Sequence, residues 1–280
     1  TSAYGQDLDH LTVSTQLNLR ATPVKNQHLS GTCWCFATVS FLESELIRMG
    51  KPVFDLSEMF VVRHNYIRKL EMHYRMQGNT FFTPGGQPHQ AIHSVKTNGI
   101  VPEKFYTGLI NTDSLHDHAK LDTAMLELAK KFDGRDKIVL DTTWEQMAHD
   151  TLNTYLGGLP LEIEYQSASY TPVKFSECVL ALNPDDYIEI TSYTHHPYYK
   201  WFCLEDRFNW DLGLYFNIPY NHFVSLMDHA LEKGYTVVWS GNMSEKDINH
   251  HSGIAEASLQ KITPEIRQRS FDSRKIKVEH

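Results

Sequence analysis

In the stretch Asn26-Gln27-His28-Leu29-Ser30-Gly31-Thr32-Cys33-Trp34-Cys35-Phe36-Ala37, the residue types and their spacing assemble a thiol nucleophile with its own oxyanion stabiliser. A cysteine attacks as its thiolate, and a helix N-terminus favours that form through its unpaired N–H groups and positive dipole end. Cys33 stands where a helical pattern begins. Gly31 lets the backbone approach closely, so the Cys33 N–H can face a developing oxyanion. Gln27 lies six residues upstream of Cys33, and its side-chain amide can donate to the same oxygen. Acyl transfer needs this pairing of nucleophile and preorganised donors. An isolated Cys-x-Cys is more simply two core thiols, but Gln27, Gly31, Cys33, Trp34 and the helical follow-on occur together here. A zinc pair is disfavoured, because the two-residue spacer is missing and no second ligand pair matches it. Cys35 is expected to be a packing residue.

The elements that must position these groups follow from periodicity and punctuation. Phe36, Val39, Leu42, Leu46 and Met49 recur at helical spacing, and Gly50 with Pro52 stops the pattern, so a buried helix runs from Cys33 to Met49. Ser57 is a candidate N-cap for a second helix to about Met76. The loop Thr83-Pro84-Gly85-Gly86-Gln87-Pro88 follows, then a third helix over His89–Asn98 closed by Gly99. Residues 112–156 read as mainly helical up to Gly157-Gly158. Short strands are expected at Leu161–Tyr165 and Tyr187–Ile190, with a turn at Asn183-Pro184-Asp185-Asp186 between them. Pro219 opens a helix to about Lys233, and Tyr235-Thr236-Val237-Val238-Trp239 is the strongest strand signal in the chain. Helices early and strands late predict an α+β fold.

At 280 residues, with 41% apolar and 21% charged residues, the chain can bury one large core or two smaller ones. A net charge of −8 with acids and bases interspersed leaves no basic stripe for phosphates and no polybasic segment for anionic lipid. Nucleic acid and membrane are therefore not expected partners. No run reaches the roughly 20 apolar residues a spanning helix needs. The N-terminus lacks the order of a signal peptide, although a chain beginning at Thr1 is compatible with one already removed, so the compartment stays open. Four cysteines (Cys33, Cys35, Cys178, Cys203) are too few for a disulfide scaffold of this length.

The nucleophile region, Gln27 followed by five residues and Cys33-Trp34, resembles the papain superfamily of cysteine peptidases. Leu56-Ser57-Glu58 is similar to the segment that opens the family's next helix. Gly85-Gly86 resembles the paired glycines whose backbone binds an extended substrate, beside Trp34. The resemblance implies that a histidine roughly 130–150 residues after the nucleophile completes the site. Residues 163–183 contain none. The bleomycin hydrolase and aminopeptidase C branch carries a large insertion there, and three segments resemble that branch: Asn183–Tyr187, Thr194-His195-His196-Pro197-Tyr198-Tyr199, and Gly234–Trp239 with Ser244-Glu245-Lys246. In that branch the run Ile262–Asp272 leads to the catalytic histidine, which places it at His280. The orienting Asn and the closing strands would lie beyond residue 280, so this chain is expected, in order of preference, to be part of a longer polypeptide, to be completed by a second chain, or to be a damaged paralogue.

The implied fold is papain-like and two-lobed with a large insertion: a lead-in over 1–24, a helical nucleophile lobe over 25–111, the insertion over 112–215 and an incomplete strand-rich lobe over 216–280. The implied activity is peptide hydrolysis by Cys33, Gln27 and His280, probing peptide substrates with Gly85, Gly86 and Trp34, without metal or organic cofactor. The branch further implies aminopeptidase specificity, a homohexamer and a cytoplasmic location. The rival readings are a catalytically impaired papain-like scaffold and a Cys-dependent acyl transferase or amidase. His195 and His196 are expected to be structural, since adjacent side chains of an extended segment point to opposite faces. His250 and His251 read as solvated loop residues.

Overall fold

The computed structural model describes residues 14–110, 115–131 and 143–241, and the backbone of two further strands at 248–249 and 254–255. The readings made above for His250, His251, Ser244–Lys246, Ile262–Asp272 and His280 lie outside the described residues.

Helix α1 (Cys33–Arg48) buries Trp34, Cys35, Thr38, Val39, Leu42 and Leu46, a stripe at three- and four-residue spacing. It ends where Gly50 adopts φ +75°, a conformation that costs glycine little. Helix α2 (Glu58–Arg75) starts at Ser57, whose Oγ accepts from Phe60 N at 3.1 Å, the expected cap. The Ser57 hydroxyl also donates to Tyr106 O, tying the cap to the chain that returns after α3. Helix α3 (Pro88–Asn98) has a Gln87–Gln90 capping box and Pro at its first turn. It closes at Gly99, where a Cβ would stand 2.3 Å from the Pro172 backbone. Helices α4 (Ala119–Lys130) and α5 (Thr143–Leu156) pack on each other and on α2.

One hydrophobic core joins all five helices, running from Trp34 through Leu42, Leu46, Phe60, Leu70, Met125 and Leu152 to Leu182. Each fully buried large side chain of this set contributes about 1.5–3 kcal/mol relative to exposure. The core therefore makes a rigid base beneath the start of α1.

The strands are short. β1 (Ile163–Tyr165) and β2 (Ala168–Tyr170) form a hairpin. Its turn residues Gln166 and Ser167 both have positive φ, the twist-matched two-residue turn built here without glycine. One helical turn, α6 (Pro172–Lys174), widens into a π-helical turn at Phe175–Leu180. The second sheet has β5 (Leu214–Asn217) at its centre, parallel to β3 (Ile190–Thr191) and antiparallel to β4 (Lys200–Cys203), with Trp201 opposite Phe216. Helix α7 (Tyr220–Glu232) ends in a Schellman motif: Tyr235 N donates to Ala230 O and Gly234 N to Leu231 O. β6 (Ile248–Asn249) and β7 (Ile254–Ala255) pair with each other. The fold is α+β.

Two expectations are corrected. Tyr235–Trp239 forms no strand; Tyr235, Val237 and Trp239 are exposed, and among the described residues no neighbour pairs with the segment. Alternating apolar residues need a partner strand to become a ladder, and Tyr235 instead lies under the Arg48 guanidinium, 4.1 Å from its ring centroid. Of the expected strand Tyr187–Ile190, only Ile190 pairs, together with Thr191. Among the described residues, no helix is long and apolar enough to cross a membrane.

Candidate active site

Cys33 is the first residue of α1 and is exposed, whereas Cys35 is fully buried with its thiol directed at Glu58 O, 3.4 Å away. Burial, followed by the Glu58 charge, pushes the Cys35 thiol pKa up, so it behaves as a small hydrophobe. The chain enters α1 through a pinned loop. Asn26 Oδ1 accepts from His28 N at 2.8 Å, and Leu29 exchanges backbone hydrogen bonds with His116 O (3.0 Å) and His118 N (3.1 Å). Gly31 then takes φ +65°, and a Cβ there would approach Pro84 Cγ to 3.0 Å. Cys35 N and Phe36 N turn back to Thr32 O at 2.9 and 3.2 Å, which leaves the N–H groups of Cys33 and Trp34 ahead of the first carbonyl of the helix. Gln27 is half-buried in this loop, and its Oε1 is buried with no hydrogen-bond partner among the described residues.

Further back, the lead-in is anchored by Lys25, whose Nζ lies 2.7 Å from Glu43, 2.6 Å from Asp55 and 2.9 Å from Glu58. Glu43 is fully buried on α1, and Glu58 opens α2. Burial alone would lower the Lys25 pKa, but these carboxylates outweigh it and raise it. Lys25 thus joins the loop carrying Gln27 to two helices, and the third residue of Leu56-Ser57-Glu58 is its anchor on α2.

The loop over Thr83–Gln87 lies against both flanks of Cys33. Trp34 Nε1 donates to Pro84 O at 3.0 Å, and the Trp34 ring packs so closely under Gly86 that a Cβ there would meet Cε2 at 2.8 Å. Trp34 is 8% exposed. Its indole therefore supports the glycine loop from beneath. From the other side, buried Lys69 donates to Thr83 O (2.5 Å) and Gly85 O (2.6 Å). Burial pushes the Lys69 pKa down to about 7, against the pull of Asp122 and Asp211.

Gln90 closes the arrangement. Its Oε1 accepts from Gln87 N at 2.9 Å, while its Nε2 donates to Phe208 O (3.0 Å) and Asp211 Oδ1 (2.8 Å). Asp211 also lies 2.9 Å from His89 Nε2 and 3.2 Å from the Arg68 guanidinium. Burial opposes its ionisation, yet the hydrogen bonds from His89 and Gln90 and the Arg68 charge hold its pKa down at about 2. An open cleft of about 390 Å³ lies alongside, lined by Arg68, His89, His93, Lys96, Asp185 and Asp211.

Gly85, Gly86 and Trp34 are thus brought against the start of α1, with Cys33 exposed between Gly31 and Trp34. Lys69, Gln90 and Asp211 escaped sequence reasoning. A signal existed for Lys69, which falls on the buried stripe of Met59, Val62, Tyr66, Leu70 and His73 where an apolar residue belongs.

The opposite-faces argument for His195 and His196 is corrected. They sit in a turn, their ring centroids are 4.4 Å apart, and both Nε2 atoms face Glu205. The argument from opposite faces required extended backbone, and the turn removes it. All four cysteines are free thiols.

Comparison with known proteins gives a consistent result. The family model described as papain family cysteine protease matches residues 12–153. Aminopeptidase G of Lactobacillus delbrueckii subsp. lactis is 25% identical over 277 residues, covering 85% of this chain and 63% of that protein. Aminopeptidase E of Lactobacillus helveticus is 25% identical over 279 residues, with the same coverage of 85% and 63%. Mitochondrial cysteine proteinase 1 of Saccharomyces cerevisiae (strain ATCC 204508 / S288c) is 22% identical over 299 residues, covering 91% of this chain and 62% of that protein. This chain spans less than two thirds of the length of these relatives. The crystal structure of PepW from Lactobacillus rhamnosis HN001 superposes with a TM-score of 0.57 at 20% identity, covering 80% of this chain and 59% of that one. That likeness concerns the fold.

Proposed function

The chain belongs to the papain family of cysteine proteases, and from that premise we propose that it hydrolyses peptide bonds as an aminopeptidase, with Cys33 as nucleophile. The observation that carries the reading is the exposed thiol at the start of α1, set between Gly31 and the Trp34-backed glycine loop. Substrate backbone lies along Gly85-Gly86, whose missing side chains let Phe208, Trp34 and Gln90 pack directly against the loop and hold its backbone in place. Trp34 acts on the substrate through that loop.

The Cys33 thiolate, held as an ion pair with the His280 imidazolium, attacks the scissile carbonyl carbon. The oxyanion accepts hydrogen bonds from the Gln27 amide and the Cys33 N–H. His280 gives its proton to the departing amine, and the C–N bond breaks to leave a thioester. Water then attacks the thioester, His280 takes its proton, and the acid leaves as the thiolate re-forms. Residues 25–111 supply the nucleophile lobe, and 112–215 form a family-type insertion whose helices α4 and α5 share the core. Residues 216–280 open the lobe that brings His280. The aminopeptidase assignment draws on the names of the relatives, and the hexamer implied by the resemblance belongs to the same proposal.

The test uses the full polypeptide with an epoxide thiol inhibitor and two coumarin substrates, one with a free α-amine and one N-blocked. One label on Cys33 and turnover of the free-amine substrate alone are expected. Turnover that survives Cys33→Ala would overturn the nucleophile assignment. Equal turnover of both substrates would leave a peptidase without the amine requirement, and labelling without turnover of either would favour a scaffold. Partitioning toward added amines would favour the acyl transferase.

A further inference from the structure

The motif Thr194-His195-His196-Pro197 is not used by the peptidase chemistry, yet it is built with care. The turn that carries it joins β3 to β4 and is pinned by Asn217, a fully buried residue of the central strand β5. Asn217 Nδ2 donates to Tyr193 O (2.8 Å), His196 O (2.9 Å) and Pro197 O (3.3 Å), and its Oδ1 accepts from Tyr193 N at 2.8 Å. Both imidazoles are held by aromatic neighbours. His196 stacks on Phe202 with centroids 4.0 Å apart, and His195 meets Tyr193 edge-on at 5.2 Å. Glu205, just past β4, faces both: its Oε1 is 2.7 Å from His196 Nε2 and its Oε2 is 3.4 Å from His195 Nε2.

We propose that His195, His196 and Glu205 form a binding site for a divalent transition metal, with zinc as the ion the donor set suits best. Imidazole nitrogen and carboxylate oxygen are borderline donors of the kind zinc takes, and three protein ligands leave a fourth position for water. The ligating atoms all lie within 4.8 Å of one another. Tetrahedral bonds of about 2.0–2.2 Å place ligand atoms roughly 3.3 Å apart. The two imidazoles are already fixed, so closing on the ion falls to the exposed Glu205 side chain. On binding, each neutral imidazole carries its proton on Nδ1 and gives the Nε2 lone pair to the metal, so the carboxylate exchanges two N–H donors for one cation.

The plainer account is an exposed pair of His–Glu hydrogen bonds. That account explains His196, whose contact is short, but the 3.4 Å contact of His195 is at the outer limit for a hydrogen bond. It also gives no reason for a buried asparagine to fold three carbonyls of the turn around itself so that both Nε2 atoms face one carboxylate. A metal uses all three groups at once, and orienting contacts behind the ligands are what such a site requires.

The test titrates Zn²⁺ into the full polypeptide carrying Cys33→Ala, which removes the exposed nucleophile as a competing ligand. Calorimetry at neutral pH is expected to give one zinc per chain. Glu205→Gln and His196→Ala should each weaken binding at least tenfold, and the His195→Ala/His196→Ala double substitution should abolish it. Co²⁺ in the same site should show d–d absorption without thiolate charge transfer, which separates this site from one using Cys203. Glu205→Gln is nearly isosteric, and equal melting temperatures in chelator establish that a loss of binding is not a loss of fold. Binding unchanged in the double variant, or no stoichiometric zinc in the Cys33→Ala protein, would overturn the proposal.

Discussion

Substituting Gly86 by alanine probes the joint between α1, which carries the proposed nucleophile, and the proposed substrate-binding loop. The added Cβ would stand 2.8 and 2.9 Å from Trp34 Cε2 and Cδ2 and 2.6 Å from Gln90 Oε1. Carbon atoms rest at about 3.5–4.0 Å, so the overlap with the indole is roughly 0.6–1 Å. Neither neighbour can give way cheaply. The Trp34 ring is buried and bonded to Pro84 O, and the Gln90 amide is buried and bonded at both ends. Overpacking of this kind costs about 1–3 kcal/mol. Taken from stability, it lowers the melting temperature by roughly 3–10 °C for a domain of this size. Taken instead by the loop, it pushes Gly85-Gly86 outward and raises KM by about tenfold for every 1.4 kcal/mol of lost substrate binding. Gly158 is the control, because it is not left-handed and nothing lies within 4 Å of its added Cβ. Gly158→Ala should be neutral or stabilise by about 0.4–1 kcal/mol. Thermal melts and steady-state kinetics on both variants decide the matter. If Gly86→Ala matches Gly158→Ala in melting temperature and KM, the indole does not back the loop and the reasoning fails.

Lys25→Met should destabilise by about 3 kcal/mol or more in urea unfolding, since it strands the carboxylates of Glu43 and Glu58 in the interior. Lys69→Met removes the donor to Thr83 O and Gly85 O; KM is expected to rise several-fold while kcat changes less, and an unchanged KM would show that the clamp does not set the loop. Burial, then the charges of Arg63 and His149, push the His64 pKa down from 6.5 to about 4. The unfolded chain therefore binds the extra proton first, so this contribution is complete above pH 6.5 and is lost as pH falls through 4. It amounts to about 3 kcal/mol, and the stabilities of wild type and His64→Phe should diverge by up to that amount between pH 7 and 4.

The helical half was legible because its signals are local. Ser57 caps α2, Gly50 and Gly99 end helices in the left-handed region, and the apolar stripe of α1 appears at the expected spacing. The sheet was less legible because a strand is defined by its partner. Tyr235–Trp239 has the stronger composition, yet the central strand is Leu214–Asn217, whose inward positions are Tyr215 and the polar Asn217. Asparagine at a core position reads as evidence against a strand until its three carbonyl partners are known.

The same distinction governs the site. Cys33, Gln27 and Gly31 stand out as candidates because a thiolate, a donor and close backbone approach would all come from one short loop at a helix start. The support of that loop draws on residues 34, 69, 90, 208 and 211, joined by side-chain bonds to carbonyls and, at Asp211, to a carboxylate, which leave no periodic trace. Lys69 shows why the second kind of information still matters for chemistry. A lysine buried on an apolar stripe is costly, and a methionine there would pack at less cost. What the lysine provides and methionine cannot is a donor to two carbonyls of the loop, Thr83 O and Gly85 O. Holding those oxygens fixes from one side the loop that Trp34 holds from the other. Under the proposed function, the place of the substrate-binding loop relative to the Cys33 thiol is therefore set by a buried lysine as much as by α1.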